Sequence, residues 1–158
     1  MNIQKHTSEH EVCGTNIELH HYITEITPEE LRELLLDNIS KLSNINIIKD
    51  REGKYLTSQF GLLQLKFYTK DAWDEACPTT EVLCEITTAM ANLPLEVINQ
   101  INLELSDLKI VKSASNTKSI LYLNIEYGVT GKTIINQIER NLDSVSKLTL
   151  HMFEGNRN

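Results

Sequence analysis

Between Ser119 and Met152 two apolar periodicities meet at a single glycine, and few folds satisfy both. SILYLNIEY alternates in steps of two, which places Leu121, Leu123, Ile125 and Tyr127 on one face of an extended strand. Beyond Gly128 the spacing changes. Ile134, Ile135, Ile138, Leu142, Val145, Leu148 and Met152 step at threes and fours, so the spacing predicts an amphipathic helix of about 20 residues, or ~30 Å. Thr130 supplies its N-cap and Gly128 the backbone freedom of the turn. A helix that long with one apolar stripe needs a sheet to cover.

The rest of the chain supplies that sheet. TPEE, from Thr27, combines a capping hydroxyl, Pro28 at the first helical position and Glu30 three residues after the cap. Leu31, Leu34, Leu35, Ile39 and Leu42 then predict a helix over 28–42, ended by Ser43 and Asn44. Ile45 to Lys49 and Lys54 to Gln59 read as a hairpin about DREG, with Gly53 taking a positive φ, and Leu62 to Tyr68 as a third strand. After an irregular stretch, 69–80, Val82, Cys84 and Ile86 alternate with Leu83, Glu85 and Thr87 in a fourth strand ending near Met90. A middle helix follows over Pro94 to Leu105, then strands at 108–112 and 119–127. Ile17, Leu19 and Ile23 recur at even steps, the pattern of a further short extended segment. The expected fold class is α+β: an antiparallel sheet with three helices packed on it, in the order α-β-β-β-β-α-β-β-α. Its expected limits are a flexible arm over 1–23, one domain over 24–154 and a tail over 155–158.

The chemistry is mostly exclusion. Residues 1–107 carry 8 Lys+Arg against 18 Asp+Glu, whereas residues 108–158 carry 7 against 4. Such an acidic chain repels phosphate backbones, and only Lys109, Lys112, Lys118 and Lys132 offer a basic cluster, so no nucleic-acid partner is expected. No 18-residue apolar run exists, so no membrane-spanning helix is expected. Cys13, Cys77 and Cys84 form no CxxC pair and no signal-peptide pattern precedes them, which fits a reducing cytoplasm. His6, His10, His20 and His21 match no ligand spacing, and Asp71, Asp74 and Glu75 fail the calcium-loop template. No cofactor and no catalytic residue is expected, and Glu85 and Glu126 have no partner that the sequence identifies.

Two readings of particular residues stay open. Gly131, Lys132 and Thr133 form GKT between a strand and a helix, as in a phosphate-binding loop, and nucleotide binding there is the alternative function. The motif requires a glycine five residues before Gly131, where Glu126 stands instead. Trp73, among acidic residues in the irregular stretch, is either an exposed anchor for a partner or a cap folded over the sheet edge. A thiol or metal sensor using Cys77, Cys84 and the arm histidines is held in reserve.

TPEELRELL, LPLEVINQINLEL and LYLNIEYGVTGKTIINQIERNL, in this element order, resemble the YbjN family of bacterial sensory-transduction regulators, whose fold is similar to that of class I type III secretion chaperones. The resemblance covers about Thr24 to Met152. It implies a non-enzymatic domain that forms a homodimer and binds a protein segment through a sheet edge or surface. The partner-binding candidates are Trp73 together with Leu95, Ile98, Asn99 and Asn102 of the middle helix.

Overall fold

A computed structural model describes residues 19–51, 53–69, 79–87, 93–105, 108–112 and 116–155. The capping box at Thr27 forms as the sequence dictates: Thr27 Oγ1 accepts from the Glu30 N–H at 3.2 Å, and Glu30 Oε2 accepts from the Thr27 N–H at 2.8 Å. The resulting helix, α1, runs Pro28–Asn38 and stops a turn short of the expected Leu42. Asn38 turns its amide back onto the Leu34 carbonyl at 2.8 Å, and Ile39 leaves the helical conformation with ψ 85. Ile39 and Leu42 remain buried, because the loop folds them into the same core that the helical stripe reaches.

Ser43 and Asn44, expected to end the helix, instead belong to a strand. β2 spans Ser43–Asp50 and carries a bulge between Ser43 and Asn46, where Asn44 takes φ 54. Asparagine tolerates the left-handed region better than most residues, and the extra residue bends the strand. Arg32 Nε of α1 donates to the Ile45 carbonyl at 2.9 Å and ties the helix to the bulge. β3 (Gly53–Phe60) pairs back on β2, with Asp50 opposite Gly53 at φ 115. β4 (Leu63–Thr69) follows a two-residue turn in which Gly61 has φ 56, the position such hairpins reserve for glycine.

β5 (Glu81–Thr87), the middle helix α2 (Leu95–Glu104), β6 (Ile110–Lys112) and β7 (Thr117–Asn124) complete a six-stranded antiparallel sheet of order β2-β3-β4-β5-β7-β6. Two short strands frame the molecule's ends: β1 (Tyr22–Ile23) pairs with β8 (Val129–Thr130), immediately before the final helix α3 (Gly131–Gly155). Of the extended segment expected over Ile17 to Ile23, only Tyr22–Ile23 is strand; Leu19 to His21 form a turn and bend, and Ile17 lies outside the described residues. Ile23 is buried in the core and the Leu19 carbonyl accepts from the Lys132 N–H at 2.9 Å, so a boundary at residue 23 falls inside packed structure. Residues 1–18 lie outside the described set.

Cross-strand register explains the core. Leu56, Phe67 and Cys84 stand opposite one another across three strands, with Leu65 opposite Ile86 and Val82 opposite Leu123. All are buried in one cluster with Leu31, Leu34 and Leu35 of α1, Ile98 and Ile101 of α2, and Ile134, Ile138 and Leu142 of α3. All three helices therefore cover the same face. Tyr127 departs from expectation: it is 91% exposed, because β7 ends at Asn124 and the chain turns, with Asn124 Oδ1 accepting from the Glu126 N–H and the Ile125 carbonyl from the Gly128 N–H. No described helix is long and apolar enough to cross a membrane.

Lys54 of β3 pairs with Glu29 of α1. Burial raises the Glu29 carboxyl's pKa, but the Lys54 ammonium and a backbone hydrogen bond outweigh it and leave the value lowered. A carboxylate depressed in the folded state contributes stability above its unfolded pKa and loses it as pH falls through the folded value. The contribution of this pair should therefore be full at neutral pH and disappear in the acidic carboxylate range; an acid melt of Lys54→Ala against wild type measures it. Ile138→Asp puts a charge at a position with 0% exposure and is expected to abolish the cooperative thermal transition. Gly128→Ala, at φ 86, is expected to cost about 1–2 kcal/mol in denaturant titration.

Candidate functional site

The GKT segment is built into the packing. Thr130 Oγ1 accepts from the Thr133 N–H at 3.2 Å, the expected cap, while Leu19 takes the Lys132 N–H. Two helix-terminal amides of the kind a phosphate-binding loop offers its ligand are therefore engaged by the chain itself. Gly131 marks a close approach of three segments: a Cβ there would lie 3.1 Å from Leu34 Cδ1, 3.5 Å from Leu19 Cα and 3.6 Å from Ile23 Cδ1. Lys132 projects into solvent. Sequence reasoning missed this role of Gly131, because the close neighbours come from residues about 100 positions away.

The four candidates on α2 divide between interior and surface. Ile98 is buried beside Ile101 and holds the helix to the core. Asn102 is used internally too: its Nδ2 donates to the Ile110 carbonyl at 2.8 Å and its Oδ1 accepts from the Ile110 N–H at 2.7 Å. β6 is an edge strand, so this one side chain satisfies both outward groups of a residue at the sheet's rim. Lys112 Nζ donates to the Leu93 carbonyl along the same rim. Leu95, at 56% exposure, and Asn99 face outward, and Leu103, at 86%, continues them at the next turn. The i, i+4, i+8 spacing makes these three one exposed stripe. Trp73 lies outside the described residues, as do Cys13 and Cys77.

The sheet's second face carries none of the three helices. Register places Ile48, Tyr55, Tyr68, Leu83 and Tyr122 in a row across five strands of this face. Tyr55 lies low in it: Lys66 Nζ sits 4.9 Å from its ring centroid, the Tyr68 ring is 5.4 Å away, and its hydroxyl donates to Asp50 Oδ2 at 2.7 Å. Tyr122, at 54% exposure, lies at the other end. Beside this row a second one includes Glu85, bonded to Lys118 of the next strand at 2.6 Å, and Ile120. The face thus mixes apolar contact area with charged groups already paired, which suits a protein surface more than a small charged ligand. A polar cleft of about 380 Å³ opens towards the bulge, among Asn44, Asn46, Thr57, Gln59, Gln64 and Lys66.

Cys84 is fully buried, and its thiol is held well above the usual range by desolvation, with the neighbouring Glu85 adding to the rise. A thiol so placed is a core side chain and a poor nucleophile. Among the described residues no group of three or more His, Cys, Asp or Glu could hold a metal ion. Glu85 is paired with Lys118, and Glu126 is exposed at the turn before β8.

Asn102→Ala, which strips both hydrogen bonds from Ile110, is expected to lower stability by about 1–3 kcal/mol in denaturant melts. Lys132→Ala is expected to leave it within about 0.5 kcal/mol of wild type. No family model matches the chain, and comparison with curated proteins and with solved structures likewise gives no match.

Proposed function

We propose that this chain is a non-enzymatic, chaperone-like regulator that binds a protein partner as a homodimer, in the bacterial cytoplasm as in the family it resembles. The observation that carries the reading is the helix-free sheet face, with Leu83, Ile120 and Tyr122 on its β5–β7 side. The β6 rim supports a surface mode over edge pairing, since Asn102 occupies the backbone groups of Ile110 that a client strand would use. The exposed stripe of Leu95, Asn99 and Leu103 supports self-association, for an amide between two leucines can pair with its own copy across a two-fold axis.

The test compares wild type with Tyr122→Arg and Leu83→Glu as baits of matched thermal stability. A partner retained by wild type and by Lys132→Ala, and lost by both face variants, is the expected outcome; equal retention by all four removes the sheet face from the reading. Light scattering tests self-association separately. Leu103→Glu is expected to convert a dimer into a monomer, and a wild-type monomer at all accessible concentrations refutes the dimer. Saturating ATP with magnesium is expected to leave the melting temperature unchanged, whereas ligand at ~100 times its dissociation constant would add about 2.7 kcal/mol.

A further inference from the structure

α3 is held to the sheet by two stretches of different chemistry. Its first three turns present Ile134, Ile135 and Ile138, all buried. From Asn141 onward polar atoms enter the interface. Asn141 is 2% exposed; its Oδ1 accepts from Ser119 Oγ at 3.2 Å, but its Nδ2 has no hydrogen-bond partner among the described residues. Thr117 Oγ1 and Ser146 Oγ are sealed from solvent in the same condition. Thr149, also buried, turns its hydroxyl back onto the Val145 carbonyl at 2.7 Å.

Asn141 and Thr117 share one seam, whereas Ser146 lies about 140° further round the helix, on its other flank. α3 runs back along β7: Ile134 and Leu123 line one small cleft, and Asn141 meets Ser119 further on. Thr117, two residues before Ser119 on the same face of β7, therefore lies below the part of the helix that follows Asn141. Among the described residues, the aliphatic side chains fastening that part are Leu142 and Val145, buried, and Leu148, partly buried.

A buried polar atom without a partner gains hydrogen bonds when water reaches it, whereas an aliphatic side chain loses by the same exposure. Lifting the stretch after Asn141 therefore relieves three orphaned atoms while exposing, among the described side chains, Leu142, Val145 and Leu148. Lifting the stretch before it exposes Ile134, Ile135 and Ile138, uncovers none of those orphaned atoms on its own turns and breaks the cap at Thr130. We infer that α3 beyond Asn141 is a separate opening unit, which lifts from β7 while the sheet and the first turns of the helix stay folded. Its opening uncovers Thr117, Ser119 and the adjoining Ile110, a strip at the corner of the sheet next to α2.

Native-state hydrogen exchange on the full chain, followed with increasing denaturant, tests this. Amides of residues 146–150 are expected to exchange through an opening insensitive to denaturant and at least about tenfold more populated than the opening that releases residues 135–141. Simple fraying of the helix end is separated from this by Asn141→Leu combined with Ser119→Ala, which removes the polar seam and should slow exchange at 146–150 roughly tenfold while leaving residues 135–138 unchanged. Should that variant fail to fold, Thr117→Val with Ser146→Ala carries the same expectation. A single opening shared by the whole helix overturns the inference, and so does exchange at 146–150 that is unmoved by the variants.

Discussion

The contact on which most of the architecture depends is the approach of Gly131 to Leu34, with Leu19 and Ile23 beside it. It brings together the start of α3, the middle of α1 and the segment that precedes α1, at a point where an added Cβ would press on Leu34 Cδ1 at 3.1 Å. From there α3 is already aimed across the sheet, because its first free amides are anchored at Thr130 and at the Leu19 carbonyl. The aliphatic stripe then adds non-directional stabilisation to an orientation that hydrogen bonds and close packing have set.

Much of this was legible in the residues. The capping box at Thr27, the N-cap at Thr130, the glycine turns at Gly53 and Gly128, and the element order all follow from short-range patterns whose physics is local. Three departures have a common cause. Helix α1 ends early because Asn38 competes for a helical carbonyl, β2 begins early because Asn44 adopts a left-handed conformation, and Tyr127 swings outward because the Asn124 turn ends the strand. In each, an asparagine side chain or backbone offers an alternative to regular structure that periodicity counts do not register.

The candidate surface was less legible. Alternation in β5 separates Val82, Cys84 and Ile86 from Leu83 and Glu85, but which outward residues become neighbours depends on register, which only the folded sheet fixes. Asn102 illustrates the reverse difficulty. On the helix it sits at a polar margin, and nothing in LPLEVINQINLEL shows that its amide reaches an edge strand eight residues away. The candidates on α2 thus divide into Ile98 and Asn102, which the fold employs, and Leu95 and Asn99, which it leaves available.

The Asn102 carboxamide has the same donor and acceptor pair as a peptide group and meets Ile110 as a neighbouring strand would. It is a one-residue counterfeit of a seventh strand. Sheets grow by templating, and at Ile110 that template is already met. A helix side chain thereby blunts that flank of the sheet at Ile110 against indefinite edge-to-edge stacking, the route by which β-rich proteins form fibrils.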